Sequence, residues 1–252
     1  MSFCKDCFTG VRHEGTPTGI LETIGGVRSY VATPTTDYPK DTVILFLLDL
    51  FGLELNNNLL LMDDLARNGF KVVGPDYLNG DPISIDAEHA LSTGTFDLST
   101  WFANHTTERT RALLNAVIAA LKAEGVTKFG AVGYCFGGRY VFDLAFDNVT
   151  QASVVNHPSL LQVPEDIQRY KDTAKAPLLI NSCPMDMAYP PEKQALGDEI
   201  LGGGKFSPGY ERKHWDGCAH GFAVRGDLSN PYVKAGKEGA FKAAVEWFFK
   251  YL

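Results

Sequence analysis

Gly133-Tyr134-Cys135-Phe136-Gly137 sets a cysteine between two glycines at the spacing of a strand-to-helix elbow, and no other segment constrains the fold as much. In such an elbow the central residue sits in a sharp turn with its side chain above a sheet, and small residues two places to either side let strand and helix approach closely. The flanks agree. Phe129-Gly130-Ala131-Val132 is a short apolar run that predicts a buried strand, and Arg139 to Asp147 has the apolar spacing of a helix after Gly138.

Strand and helix signals alternate along the rest of the chain. Val27 to Ala32 reads as a strand, where the sheet is expected to begin, and a polar turn runs through Pro39-Lys40. Thr42 to Leu48 is nearly all apolar and suits a strand covered on both faces; it ends at Asp49-Leu50-Phe51-Gly52. Leu59 to Asn68 predicts a helix stopped by Gly69, followed by a strand from Phe70 to Gly74. Asn79 to Thr100 has no sustained period and reads as a long loop or cap over the sheet edge. Thr106 to Glu124 is the clearest helix, with Leu113, Leu114, Val117, Ile118 and Leu121 on one side and Gly125 as its stop. Val154 to His157 and Pro177 to Asn181 are further strands, Tyr210 to His214 is a candidate last strand, and Gly236 to Tyr251 is an amphipathic closing helix. The pattern predicts an α/β fold: a mostly parallel sheet with helices on both faces and functional residues at the carboxyl ends of the strands. Residues 1–252 are expected to form one domain, with 1–20 as an N-terminal extension, because no Gly/Ser linker or internal repeat divides the chain.

Charge and cysteine content narrow the class of function. A net charge of -7 without a Lys/Arg-rich run argues against nucleic acid and anionic membranes as partners, leaving a small molecule. The N-terminus lacks a basic stretch followed by an apolar one, and no window has the apolar length needed to span a bilayer, so a soluble cytoplasmic protein is expected. The five cysteines are odd in number and unevenly spaced, which argues against a disulfide framework. Cys4-x-x-Cys7, with His13 nearby, lacks the second ligand pair of a structural zinc site and precedes Phe8-Thr9-Gly10 rather than opening a helix as redox pairs do. No metal or cofactor is therefore expected.

Three side chains fall in the order nucleophile, acid, histidine: Cys135 at the elbow, Asp186 after the strand that ends near Ser182, and His220 within Cys218-Ala219-His220-Gly221-Phe222. A thiolate is a strong nucleophile, an imidazole can take the thiol proton, and a carboxylate fixes the imidazole tautomer and steadies the imidazolium. His157, before Pro158, is the rival histidine; Asp186 can alternatively cap a turn, and Cys183 and Cys218 read as inert core thiols near the site. Phe51, Tyr77, Tyr134 and Phe222 are the expected aromatic lining of a pocket.

With GYCFGG (133–138), LLDLFGL (47–53), GPDYL (74–78), SCPMDMAYPPE (182–192) and HGFAVR (220–225) in this order, the chain from about Ile24 onward resembles the dienelactone hydrolases, α/β-hydrolases with a Cys-Asp-His triad. Its opening CKDCFTGVRHEGTPTG resembles the N-terminal extension of fungal members. The resemblance implies Cys135 as nucleophile, His220 as base and acid, Asp186 as its orienter, and an oxyanion hole from the backbone N–H groups of Leu50 and Phe136. It also implies two departures. Asp49 stands where the family typically has a glutamate contacting the resting thiol, and no arginine lies between Tyr77 and Thr100, where bacterial members hold the substrate carboxylate. Arg225 matches the second such arginine, or is an exposed loop residue. The expected function is hydrolysis of small lactones or esters through an acyl-enzyme, by a monomer or homodimer. A non-catalytic binding homologue and an acyltransferase using the same triad are the alternatives.

Overall fold

The computed structural model describes residues 13–84, 87 and 95–252. One eight-stranded sheet organises them. Its strands are β1 (Ile20–Ile24), β2 (Val27–Ala32), β3 (Thr42–Leu47), β4 (Val72–Pro75), β5 (Lys128–Tyr134), β6 (Ala152–Asn156), β7 (Leu178–Ser182) and β8 (Tyr210–His214), in the spatial order β1-β2-β4-β3-β5-β6-β7-β8. The β1–β2 and β2–β4 pairs are antiparallel, and every pair from β4 to β8 is parallel.

The sheet begins one strand earlier than the sequence suggests. β1 is an edge strand whose first four residues are exposed, so it shows no in–out alternation to reveal it. In contrast, all six residues of β3 are buried, as its unbroken apolar run predicts for a strand covered on both faces. The helices are α1 (Asn56–Arg67), α2 (Leu98–Asn104), α3 (Thr107–Ala123), α4 (Gly137–Phe146), α5 (Glu165–Thr173), α6 (Pro191–Leu201), α7 (Phe222–Arg225) and α8 (Pro231–Tyr251).

Two boundaries move for identifiable reasons. α2 lies inside and just beyond the span expected to be a loop; it is capped by the Asp97 side chain, which accepts from the Thr100 N–H at 3.0 Å, and Trp101 stacks on His105 with centroids 3.9 Å apart. The closing helix starts at Pro231 rather than Gly236, because the Asn230 side chain accepts from the Tyr232 N–H at 3.0 Å and proline opens the first turn.

The chain before β1 is docked from His13 onward. The His13 N–H donates to Asn57 Oδ1 on α1 at 2.9 Å, and its ring Nε2 lies 2.9 Å from the Gly226 carbonyl oxygen just after α7. Cys4 and Cys7 lie outside the described residues. Among the described helices none is long and apolar enough to cross a membrane.

Parallel strands deliver their carboxyl ends to one rim. Asp49 follows β3, Cys135 follows β5, His157 follows β6, Asp186 follows β7 and His220 follows β8, so residues far apart in sequence converge there.

Candidate active site

The elbow has the strained geometry its sequence requires. Cys135 has φ of +50°, and its backbone is pinned on both sides: its N–H donates to the Asn156 carbonyl at 3.1 Å, and its own carbonyl accepts from Gly138 at 3.0 Å and Ser159 at 2.9 Å. The flanking glycines are needed for close approach. A Cβ on Gly137 would run into the Leu47 carbonyl oxygen, and one on Gly133 would lie 2.6 Å from the carbonyl oxygen of Gly137. The Cys135 side chain is fully buried, and its sulfur lies 3.4 Å from the Ser159 hydroxyl.

His220 and Asp186 form a buried pair. His220 Nδ1 lies 2.9 Å from Asp186 Oδ1, with both side chains closed to solvent. The same Oδ1 accepts from the Ala188 and Tyr189 amides at 2.9 and 3.1 Å, so Asp186 caps its own turn while it orients the ring. The backbone N–H of His220 donates to the Met185 carbonyl at 2.8 Å, which ties the two loops together. Burial alone would lower the His220 pKa, but the Asp186 carboxylate and then negative charge on the Cys135 sulfur outweigh it and hold it well above the usual histidine value. Nε2 makes no hydrogen bond of normal geometry, although the sulfur is near enough to act on it; such bonds commonly tighten only when substrate is bound.

The rival histidine sits against this pair and not in its place. The His157 ring is fully buried 4.9 Å from the His220 ring centroid, edge to face, and among the described residues neither of its nitrogens has a hydrogen-bond partner. Burial, then the neighbouring His220, Arg225 and Lys237, depress its pKa well below 6.5, which keeps it neutral.

Asp49 and Arg225 form a second buried pair. Arg225 is neither exposed nor on a loop: it is 2% exposed in α7 and donates from Nη1 to Asp49 Oδ2 at 2.7 Å, with its guanidinium 4.7 Å from the Phe51 ring. Asp49 Oδ1 accepts from Asn58 Nδ2 at 3.0 Å and from the Phe51 amide at 3.2 Å. Burial pushes the Asp49 carboxyl up, Arg225 and Asn58 pull it down, and charge on the Cys135 sulfur pushes it up again; the net direction is upward. The shorter aspartate thus lies within electrostatic reach of the sulfur while held by an arginine, an asparagine and an amide.

The expected aromatics divide between rim and core. Tyr77 donates its hydroxyl to the Leu48 carbonyl and packs near Phe136 and Tyr140, at centroid distances of 6.1 and 5.6 Å. Phe222 lies 5.5 Å from His157, whereas Tyr134 stacks on Phe46 at 4.9 Å, inside the sheet's core. Phe51 lines a cavity of about 430 Å³ with Arg28, Leu55, Pro82 and Ile83, and the Ile83 amide binds the Leu50 carbonyl at 2.9 Å. Among the described residues, neither the Leu50 nor the Phe136 N–H donates to another protein group.

Cys183 and Cys218 are buried thiols, and burial raises Cys218 to about 11, which keeps it protonated. Among the described residues no cluster of three or more His, Cys, Asp or Glu side chains is arranged to hold a metal ion. Ser159 and Asn58 are site residues that sequence reasoning missed. Neither lies in a motif, and only folding brings them against Cys135 and Asp49.

A mostly parallel sheet with a strained strand-to-helix elbow, and a histidine and an aspartate on later strand ends, defines an α/β-hydrolase fold. Residues 27–252 match the model of the dienelactone hydrolase family, and the chain belongs to that family. It is 34% identical over 247 residues to Hydrolase pyvD of Aspergillus violaceofuscus, covering 98% of this chain and 96% of that one. To Dienlactone hydrolase 1 of Gibberella moniliformis it is 32% identical, with 96% and 91% covered. The solved structure of a putative dienelactone hydrolase from Klebsiella pneumoniae superposes with a TM-score of 0.69 at 20% identity, over 89% of this chain and 93% of that one. The protein is accordingly a hydrolase of the ester- and lactone-cleaving type.

Proposed function

We propose that the chain hydrolyses small lactones or esters through a thioester formed on Cys135, with His220 and Asp186 completing the triad. The buried 2.9 Å contact between His220 and Asp186, on strand ends beside the elbow cysteine, is the observation that carries this reading. Asp186 holds the proton on Nδ1 and leaves Nε2 to accept one. The thiol proton passes to Nε2, and the thiolate attacks the acyl carbonyl. The oxygen that gains charge is received by the Leu50 and Phe136 amides, which no acceptor among the described residues occupies. His220 then gives its proton to the leaving alkoxide and activates the water that cleaves the thioester.

Asp49, locked to Arg225, places carboxylate charge near the sulfur, which opposes ionisation of the thiol until His220 takes its proton. Phe51, Tyr77 and Phe222 border the acyl pocket. Lactones with good enol leaving groups are the preferred substrates, since they acylate a thiol readily. A small-molecule substrate, a single domain and a cytoplasmic location complete the reading; buried free cysteines suit a reducing compartment. Hydrolysis of p-nitrophenyl acetate and of a dienelactone by wild type and Cys135→Ala tests it. The variant should lose at least about a thousandfold in kcat/KM, and undiminished turnover would refute the nucleophile assignment.

A further inference from the structure

We propose that Ser159 is a catalytic residue whose hydroxyl donates a hydrogen bond to the Cys135 thiolate, stabilising the sulfur as nucleophile in acylation and as leaving group in deacylation. This rests on the reading of Cys135 as nucleophile and adds to it a second polar group on the sulfur, besides His220.

The geometry comes from the turn after β6. Ser159 Oγ lies 3.4 Å from Cys135 Sγ, within hydrogen-bonding range for sulfur, and Ser159 is 1% exposed. Among the described residues the sulfur is the hydroxyl's only hydrogen-bond partner. The contact is built by the backbone. The Ser159 N–H donates to the Cys135 carbonyl at 2.9 Å, and a Cβ on Gly138 would lie 2.7 Å from the Pro158 ring, so the turn is seated directly on the first turn of α4. Positive φ at His157 (+37°) and Leu160 (+64°) bends the chain sharply enough to aim Ser159 back at the elbow.

The chemistry follows from proton accounting. In the thiol state either group can donate. Once the thiol proton has moved to His220 Nε2, the sulfur carries charge and can only accept, so the hydroxyl rotates to donate and keeps its own proton throughout. After acylation the sulfur is a neutral thioester and a poor acceptor. When water displaces it, negative charge returns to sulfur and the same hydrogen bond re-forms, lowering the barrier to deacylation. The ionisable groups around the sulfur are His220, Asp49 with its partner Arg225, and Tyr77, with His157 behind His220. Asp49 opposes ionisation of the thiol and His220 favours it. Ser159 tips this balance without carrying charge.

Thiolate absorbance against pH, taken as the difference from Cys135→Ala, tests the proposal alongside pre-steady-state hydrolysis of p-nitrophenyl acetate. Ser159→Ala removes one oxygen and leaves the backbone bonds of the turn intact. It should raise the Cys135 thiol pKa by about one unit and slow deacylation about tenfold. Ser159→Thr, which keeps the hydroxyl, should restore both; if the added methyl prevents folding, the alanine variant decides alone. An unchanged thiol pKa and unchanged burst kinetics in Ser159→Ala, with Cys135→Ala inactive, would overturn the role of Ser159 and leave the nucleophile standing. An active Cys135→Ala would instead overturn the nucleophile.

Discussion

A single oxygen of Asp186 accepts from the His220 ring and from two backbone amides, so local turn and orienting group are one structure. Asp186→Asn keeps one oxygen to accept these bonds but loses the negative charge that steadies the protonated ring. Steady-state kinetics should show kcat lower by a factor on the order of 10³ to 10⁴, with the fold retained. The Asp49–Arg225 pair is a matter of stability as well as chemistry. Arg225→Met strands a buried carboxylate and should cost about 3 kcal/mol or more in urea unfolding, whereas Asp49→Asn combined with Arg225→Met should cost less than the single change. His157 and His220 act in opposite pH windows. The native state keeps His157 neutral, so below about 6.5 the unfolded chain binds the extra proton and stability falls with pH. The raised His220 stabilises fully below 6.5 and loses that contribution as pH rises through its higher native value. His157→Asn, which tolerates the same left-handed backbone, should flatten the acid limb of stability by up to about 1.4 kcal/mol per pH unit.

Among the elements, the elbow was the most legible because its steric demands fall on adjacent residues. Gly137→Ala should destabilise the protein by about 2 kcal/mol or more in thermal or urea unfolding, since the new Cβ meets the Leu47 carbonyl on the neighbouring strand rather than a movable side chain. Long amphipathic α3 and the apolar strands β3, β5, β6 and β7 were equally plain. β1, α2 and α7 were not. β1 is an exposed edge, α2 is seven residues held by an Asp cap and a Trp–His stack, and α7 is a single turn whose glycine N-cap, Gly221, has φ of +92°. Short elements of this kind draw their stability from tertiary contacts, which local sequence does not display. α7 illustrates this: Lys237 of α8 donates to the Ala223 carbonyl at 2.9 Å, and Asn57 of α1 donates to that of Val224 at 2.9 Å.

Across the whole molecule, protection should follow the sheet order. Amide hydrogen exchange should be slowest in β3, β5 and β6, which are central and covered on both faces, and fastest in edge strand β1. Cysteine at the elbow, a histidine and an aspartate in the right order, and the alternation of strand and helix were all readable from residue type and spacing, because each depends on neighbours in the chain. From these the sequence by itself determined the α/β class, the rim that carries the site, and the three residues of the candidate triad. Only the tertiary structure decided that Arg225 is buried against Asp49 instead of facing solvent, that His157 packs behind His220 instead of replacing it, and that Ser159 reaches the sulfur. Those contacts join the ends of different strands, and their distances depend on how the sheet is ordered and twisted, which no local run of residues encodes.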